Sequence, residues 1–136
     1  MREDYCELQF SSEPLKVRNM VRRLLDFVDS HNPCFEARAD LKLIFSELLC
    51  NAVFHGNKED RSKRVFVRLE TVSDKLKVSI WDEGVGFDYR KVMAQALSGA
   101  AIQNEHGRGI VLVRSLTDNL SYNETGNQVR FEKRLK

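Results

Sequence analysis

Residues 43–57 read LIFSELLCNAVFHGN, and the placement of their polar side chains decides how the rest of the chain is understood. Leu41, Ile44, Phe45, Leu48 and Ala52 recur at helical spacing and make one apolar stripe, on a helix expected from about Glu36 to His55 with Gly56 as its stop. A plain amphipathic helix needs nothing more than that stripe. Yet Glu47, Asn51 and His55 each fall four residues apart, so they share a helix face beside it. Two readings are open at this point. In one, a surface Glu pairs with Asn and the histidine sits at the helix end, favoured by the dipole. In the other, the row is a magnesium and nucleotide face. The amide oxygen of Asn51 suits a hard cation, and Mg²⁺ takes few protein ligands when phosphates and waters complete its octahedron. Glu47, one turn earlier, would orient or deprotonate a nucleophile attacking a terminal phosphate, and His55 would add a hydrogen bond.

Further along, SIWDEGVGFDY (79–89) sets two glycines directly after an apolar strand-like run. A Gly-x-Gly alone suits any tight bend. Asp82 has two readings as well: a turn residue bonding its own backbone two residues on, or an acceptor for the exocyclic amine of adenine. Gly84 and Gly86 would let the backbone approach a purine closely. A third stretch, HGRGIVLV (106–113), puts Gly107 and Gly109 where a helix should begin, and helix N-termini bind phosphate through unpaired N–H groups and the dipole. Arg108, between them, either adds positive charge toward the phosphates or faces solvent.

Other chemistries find no footing. The sequence has no G-x-x-x-x-G-K-[ST], no third glycine for a dinucleotide fingerprint (position 89 is Tyr), no zinc-spaced Cys/His set and no G-x-S-x-G elbow. The formal charge of +2, from 22 Lys and Arg against 20 Asp and Glu, gives no basic field for nucleic acid or a membrane surface. Cys6, Cys34 and Cys50 read as reduced, mostly structural thiols. The opening MREDYCELQF is too charged for a signal peptide, and a cytoplasmic location is expected.

The 136 residues fit one domain, with 42% hydrophobic and 31% charged residues. Cys6, Leu8 and Phe10 alternate as a short strand. A helix follows from Pro14, packed through Val17, Met20, Val21, Leu24, Leu25 and Val28, and Asn32-Pro33 ends it. Arg18, Arg22 and Arg23 lie on its exposed flank. Val65, Val67 and Leu69 mark one strand after the long second helix, and Leu76, Val78 and Ile80 another, with Ser73-Asp74 at the turn. Residues 88–106 form a connection too long for a compact domain unless it is a lid or binding loop, with a helical piece near Lys91–Leu97. Gly107 to Leu116 reads as a third helix. Leu120–Glu124 and Gln128–Leu135 close the chain as a hairpin around Thr125-Gly126-Asn127. The expected architecture is an α+β two-layer sandwich, with helices on one face of a mixed, mainly antiparallel sheet.

The three motif pieces, in this order, resemble the ATP-binding domain shared by gyrase, heat-shock chaperone ATPases, histidine kinases and MutL, the GHKL or Bergerat fold. ELLCNAVFHG looks like its N-box, DEGVGF like its first glycine box and HGRGI like its second, so the resemblance covers nearly the whole chain. Within that family the pattern is similar to the bacterial anti-sigma-factor serine kinases. Their N-box resembles E-x-x-x-N-A-x-x-H-G, and Glu47, Asn51, Ala52, His55 and Gly56 fit it without a gap.

The resemblance implies that Glu47 is the catalytic base, Asn51 the Mg²⁺ ligand and Asp82 the adenine reader, with His55 beside the nucleotide. Gly84 and Gly86 would line the purine pocket, and Gly107, Arg108 and Gly109 would sit by the phosphates. Residues 88–106 would be the ATP lid of a single domain spanning 1–136. AIQNEH in that lid lacks the threonine-lysine feature some relatives show, so no lid residue is given a role. ATP and Mg²⁺ are the implied cofactors. A small STAS-type anti-anti-sigma protein is the implied substrate, a sigma factor a second partner, and a homodimer the implied assembly. A nucleotide-gated binding regulator without phosphate transfer is the alternative.

Overall fold

A computed structural model describes residues 4–98 and 105–136. The chain begins with β1 (Asp4–Ser11), then α1 (Pro14–Asp29) and α2 (Phe35–Cys50), which runs on into a π-helical turn at Asn51–Gly56. Next come β2 (Arg64–Val72), β3 (Lys75–Trp81), α3 (Tyr89–Leu97), α4 (Glu105–Leu116), β4 (Asn119–Tyr122) and β5 (Gln128–Arg134). The strands form one sheet in the order β1-β2-β3-β5-β4. Each neighbouring pair is antiparallel, so the mixed, mainly antiparallel sheet expected from the sequence is antiparallel throughout the described strands. Residues 99–104 of the expected lid lie outside the described residues.

Strand alternation decides which face of the sheet is covered. Val65, Val67 and Leu69 of β2 are buried, as are Leu76, Val78 and Ile80 of β3 and Val129 and Phe131 of β5. The register sets them side by side, Val67 opposite Ile80, Leu69 opposite Val78 and Val78 opposite Phe131. Arg68, Lys77 and Arg130 point the other way and are exposed. A two-residue side-chain period makes this separation automatic.

The helices cover the apolar face. Pro14 occupies the first helical position of α1, and the six apolar residues expected to be inside are buried. Asn32, at φ 53°, takes the left-handed turn after that helix. The thiol of Cys34 accepts a hydrogen bond from Ala37 N–H at 3.4 Å and caps α2. Leu41, Ile44, Phe45 and Leu49 of α2 are essentially without solvent contact, which makes α2 the centre of the core. Burying such a side chain is worth about 1.5–3 kcal/mol. Lys133 ties the layers together: its Nζ donates to Asp40 of α2 at 2.8 Å and to the Leu116 carbonyl ending α4 at 2.6 Å. That cation at a helix C-terminus also opposes the dipole. The first half of α2 is thereby tied to β5 and to the end of α4.

Candidate functional site: a two-part recess at the end of α2

The final turns of α2 are not the uniform helix that the four-residue spacing predicts. Asn51 still donates its N–H to Glu47 and Leu48, but Asn57 N–H reaches back five residues to Ala52 O at 2.8 Å, and Glu59 N–H six residues to Val53 O at 2.8 Å. Tertiary contacts accompany the widening. Gly56 is pressed against Asp82, where a Cβ would lie 2.2 Å from Oδ2, and the Asn57 side chain is bonded to elements beyond the helix. A π-turn spreads the backbone at the cost of poorer helical geometry, and such turns recur at functional sites.

Two recesses meet at this turn, and Asn51 and His55 line both. One also contains Glu47 and Arg108, with Gly109 of α4 opposite Glu47. Gly109 is buried, and a Cβ there would stand 2.3 Å from Glu47 Oε2, so the missing side chain is what admits the carboxylate. Arg108 is exposed at the mouth. Helix α4 is described from Glu105 onward, ahead of the expected start at Gly107, so Gly107 and Gly109 both lie within the helix.

The other recess lies between the π-turn and the β3 and β5 strands. Asp82, Gly86, Phe87, Tyr122 and Asn127 line it with Val129. Asp82 follows β3 directly. Its N–H donates to Asn127 O at 3.0 Å, and its Oδ1 accepts from Gly84 N–H at 2.8 Å. The local turn bond and the pocket position therefore coexist in one residue. Burial pushes the Asp82 carboxyl above the usual carboxylate range, against the opposing pull of the Gly84 N–H and of Lys63. Gly86, at φ 80°, passes so close to Thr125 that a Cβ would meet its carbonyl oxygen at 1.8 Å. Gly84 does not line this recess; its bare Cα makes room for the Gly56 carbonyl, 2.0 Å from where a Cβ would be. The glycine pair thus serves chain-to-chain approach as well as the pocket.

Sequence reasoning missed Tyr122 and Asn127. Tyr122 stacks on Tyr89 at 5.3 Å and meets Phe87 edge-on at 5.2 Å. Burial, with the Asp82 charge nearby, pushes its phenol well above the ordinary tyrosine range. The only signal was inward alternation on a short strand. Asn127 belongs to a turn knitted by Asn123, whose Oδ1 accepts N–H groups of Gly126, Asn127 and Gln128 at 2.8, 3.0 and 3.1 Å. Asn127 Nδ2 then reaches Gly84 O at 3.3 Å and binds the two loops into one wall.

A partly apolar recess edged by a carboxylate, adjoining through Asn51 and His55 a second that carries Glu47 and Arg108, suits a purine joined to a polyphosphate. Residues 10–133 match the histidine kinase-like ATPase domain. Over 139 residues the chain is 32% identical to the serine-protein kinase RsbW of Bacillus subtilis (strain 168), covering 97% of this chain and 86% of that protein. It is 29% identical over 145 residues to the serine-protein kinase RsbW of Staphylococcus aureus (strain MSSA476), with 99% and 89% covered. Fold and site together define an ATP-binding domain of the histidine kinase-like class. The chain belongs to that family, in its branch of RsbW-type protein serine kinases.

Proposed function

We propose that the protein is an anti-sigma factor whose kinase activity phosphorylates a serine of a small STAS-type antagonist, and that it binds a sigma factor when that antagonist is phosphorylated. The observation that carries this reading is the position of Glu47 and Asn51. They stand one turn apart where the Asp82 recess meets the Arg108 recess, and Gly109 leaves space for the Glu47 carboxylate. Adenine would lie against Gly86 with its exocyclic amine donating to Asp82, and the phosphates would extend toward Gly107, Arg108 and Gly109. The 88–106 segment would close over them as the lid of a single domain.

Asn51 fits a magnesium site by its chemistry. Its side-chain amide is set at the junction of the recesses, and the buried Nδ2 has no hydrogen-bond partner among the described residues. An unpaired buried NH₂ group costs free energy until an acceptor, such as a phosphate oxygen, satisfies it. Its Oδ1 would hold Mg²⁺, which supplies charge neutralisation on the phosphates when bound.

The chain's own part in the transfer is acid–base and positional. Glu47 takes the proton of the substrate serine as its oxygen bonds the γ-phosphorus. The bond from that phosphorus to the β–γ bridging oxygen breaks, and its electron pair leaves with ADP. Arg108, exposed at the mouth of the recess, would offer its charge to the transferring group.

Incubation with labelled ATP, Mg²⁺ and the small antagonist encoded beside this gene tests the reading. Phosphoserine on the antagonist, and stable retention of the sigma factor afterwards, is the expected result. ATP binding without any transfer would overturn the kinase and turn the reading to a nucleotide-gated binding regulator. A homodimer in the cytoplasm is part of the same proposal, and sedimentation at micromolar concentration tests the dimer.

A further inference from the structure

Asn57 follows the motif of the π-turn, carries none of the site assignments above, and is only 1% exposed. Its side chain uses both ends. Oδ1 accepts the Glu83 N–H at 2.8 Å, while Nδ2 donates to Ser12 Oγ at 2.6 Å and to Arg64 O at 2.9 Å. Ser12, itself fully buried, donates through Oγ to Lys63 O at 3.0 Å, so the small network is satisfied throughout. Glu83 closes the ring from the other side, its carboxylate accepting Arg64 N–H at 2.7 Å. A buried amide in three bonds of this length specifies one arrangement of the elements it joins.

The Glu83 N–H belongs to the peptide plane directly after Asp82. Holding that plane, with the Asp82 N–H held by Asn127 O, constrains the backbone from which the Asp82 side chain departs, and the Gly84 N–H then holds its carboxylate. Asn57 is also the residue that leaves the π-turn, one step after Gly56 presses on the Asp82 carboxylate. We infer that Asn57 is a positioning residue that registers the adenine-reading Asp82 against the helix carrying Glu47 and Asn51, and so sets nucleobase affinity. It acts through Glu83 and touches no part of the nucleotide. This inference rests on the reading of Asp82 given under Proposed function.

Asparagine alone supplies the acceptor and both donations. Asn57→Ala removes all three bonds. Asn57→Asp keeps the acceptor for Glu83 but sets an oxygen against the Arg64 carbonyl, so it loses stability while retaining the contact that orients Asp82. Ser12→Ala removes one donation partner and leaves the Glu83 bond alone.

The test measures binding of ATP and of inorganic tripolyphosphate to these variants and to Asp82→Asn, with thermal melting in parallel. Asn57→Ala should weaken ATP about tenfold, as expected for one lost orienting bond, with tripolyphosphate within about twofold. Asn57→Asp and Ser12→Ala should melt lower than wild type yet keep the wild-type ratio of ATP to tripolyphosphate affinity. If Asn57→Ala fails to fold, the Asn57→Asp ratio decides alone: a wild-type ratio supports the inference and a fallen one overturns it. Equal loss of both ligands in Asn57→Ala, or loss of neither, also overturns it. Asp82→Asn separates the two levels. If it shifts the ratio and Asn57→Ala does not, the positioning role fails while the adenine reading stands; if Asp82→Asn leaves the ratio unchanged, the adenine reading fails and this inference with it.

Discussion

Gly109 on α4 stands so close to Glu47 on α2 that a methyl group there would lie 2.3 Å from the Glu47 Oε2. The contact is with the far end of a flexible side chain, so Gly109→Ala should move the carboxylate and leave the fold. Alanine in place of a helical glycine ordinarily stabilises by about 1 kcal/mol. Melting temperature should therefore hold or rise while phosphate transfer falls at least about tenfold, since a misplaced base loses much of its contribution. A thermal melt and a transfer rate on the same preparation check both halves.

Gly86 carries the opposite expectation. Its φ of 80° is a left-handed conformation, and a Cβ would be driven into the Thr125 carbonyl at 1.8 Å. Both problems involve backbone, which cannot swing aside. Gly86→Ala should cost more than about 1 kcal/mol of stability and weaken ATP together with it. Urea unfolding of the free protein measures the first and calorimetric titration the second.

Acidity should separate stability from binding at Asp82. Its carboxyl is pushed above the usual range, chiefly by burial. A raised pKa in the fold contributes stability below the ordinary carboxylate value, and that contribution is lost as pH rises through the raised one. Asp82→Asn in the nucleotide-free protein should therefore melt at or above wild type at neutral pH. In the proposed function the ionised carboxylate accepts from adenine, so adenine recognition should run the other way. ATP affinity should decline on acidification beginning above the ordinary carboxylate range, and this part of the decline should be absent in Asp82→Asn. Titrations from pH 7.5 downward, over the range where both proteins stay folded, would show it.

Most of the fold was legible because its signals are local. The six buried positions of α1 and the strand alternations follow from period alone, and the structure buries them as expected. Where the account changed, the cause lies far away in the chain. The π-turn at Asn51–Gly56 runs into Asn57, which is held by Ser12, Arg64 and Glu83, none of which a helical period reports. The pairing of β1 with β2 spans two helices, so its direction was open in the sequence. At the site, Glu47, Asn51, His55, Arg108 and Gly109 do share a recess, and Asp82 and Gly86 share the adjoining one. Gly84 sits in a motif that suits a ligand, yet its bare Cα faces Gly56, a neighbour that only the folded chain reveals. Tyr122 and Asn127 were overlooked because a strand aromatic and a turn asparagine look the same wherever they fall.

Glu47 as the base of a phosphate transfer is the centre of the account. The most direct measurement is a single-turnover transfer from labelled ATP to the antagonist serine, comparing wild type with Glu47→Gln at saturating nucleotide. Glu47→Gln should bind ATP within about twofold of wild type and transfer at least about a hundredfold more slowly. Transfer by Glu47→Gln at the wild-type rate would contradict the assignment of the base and the mechanism built on it.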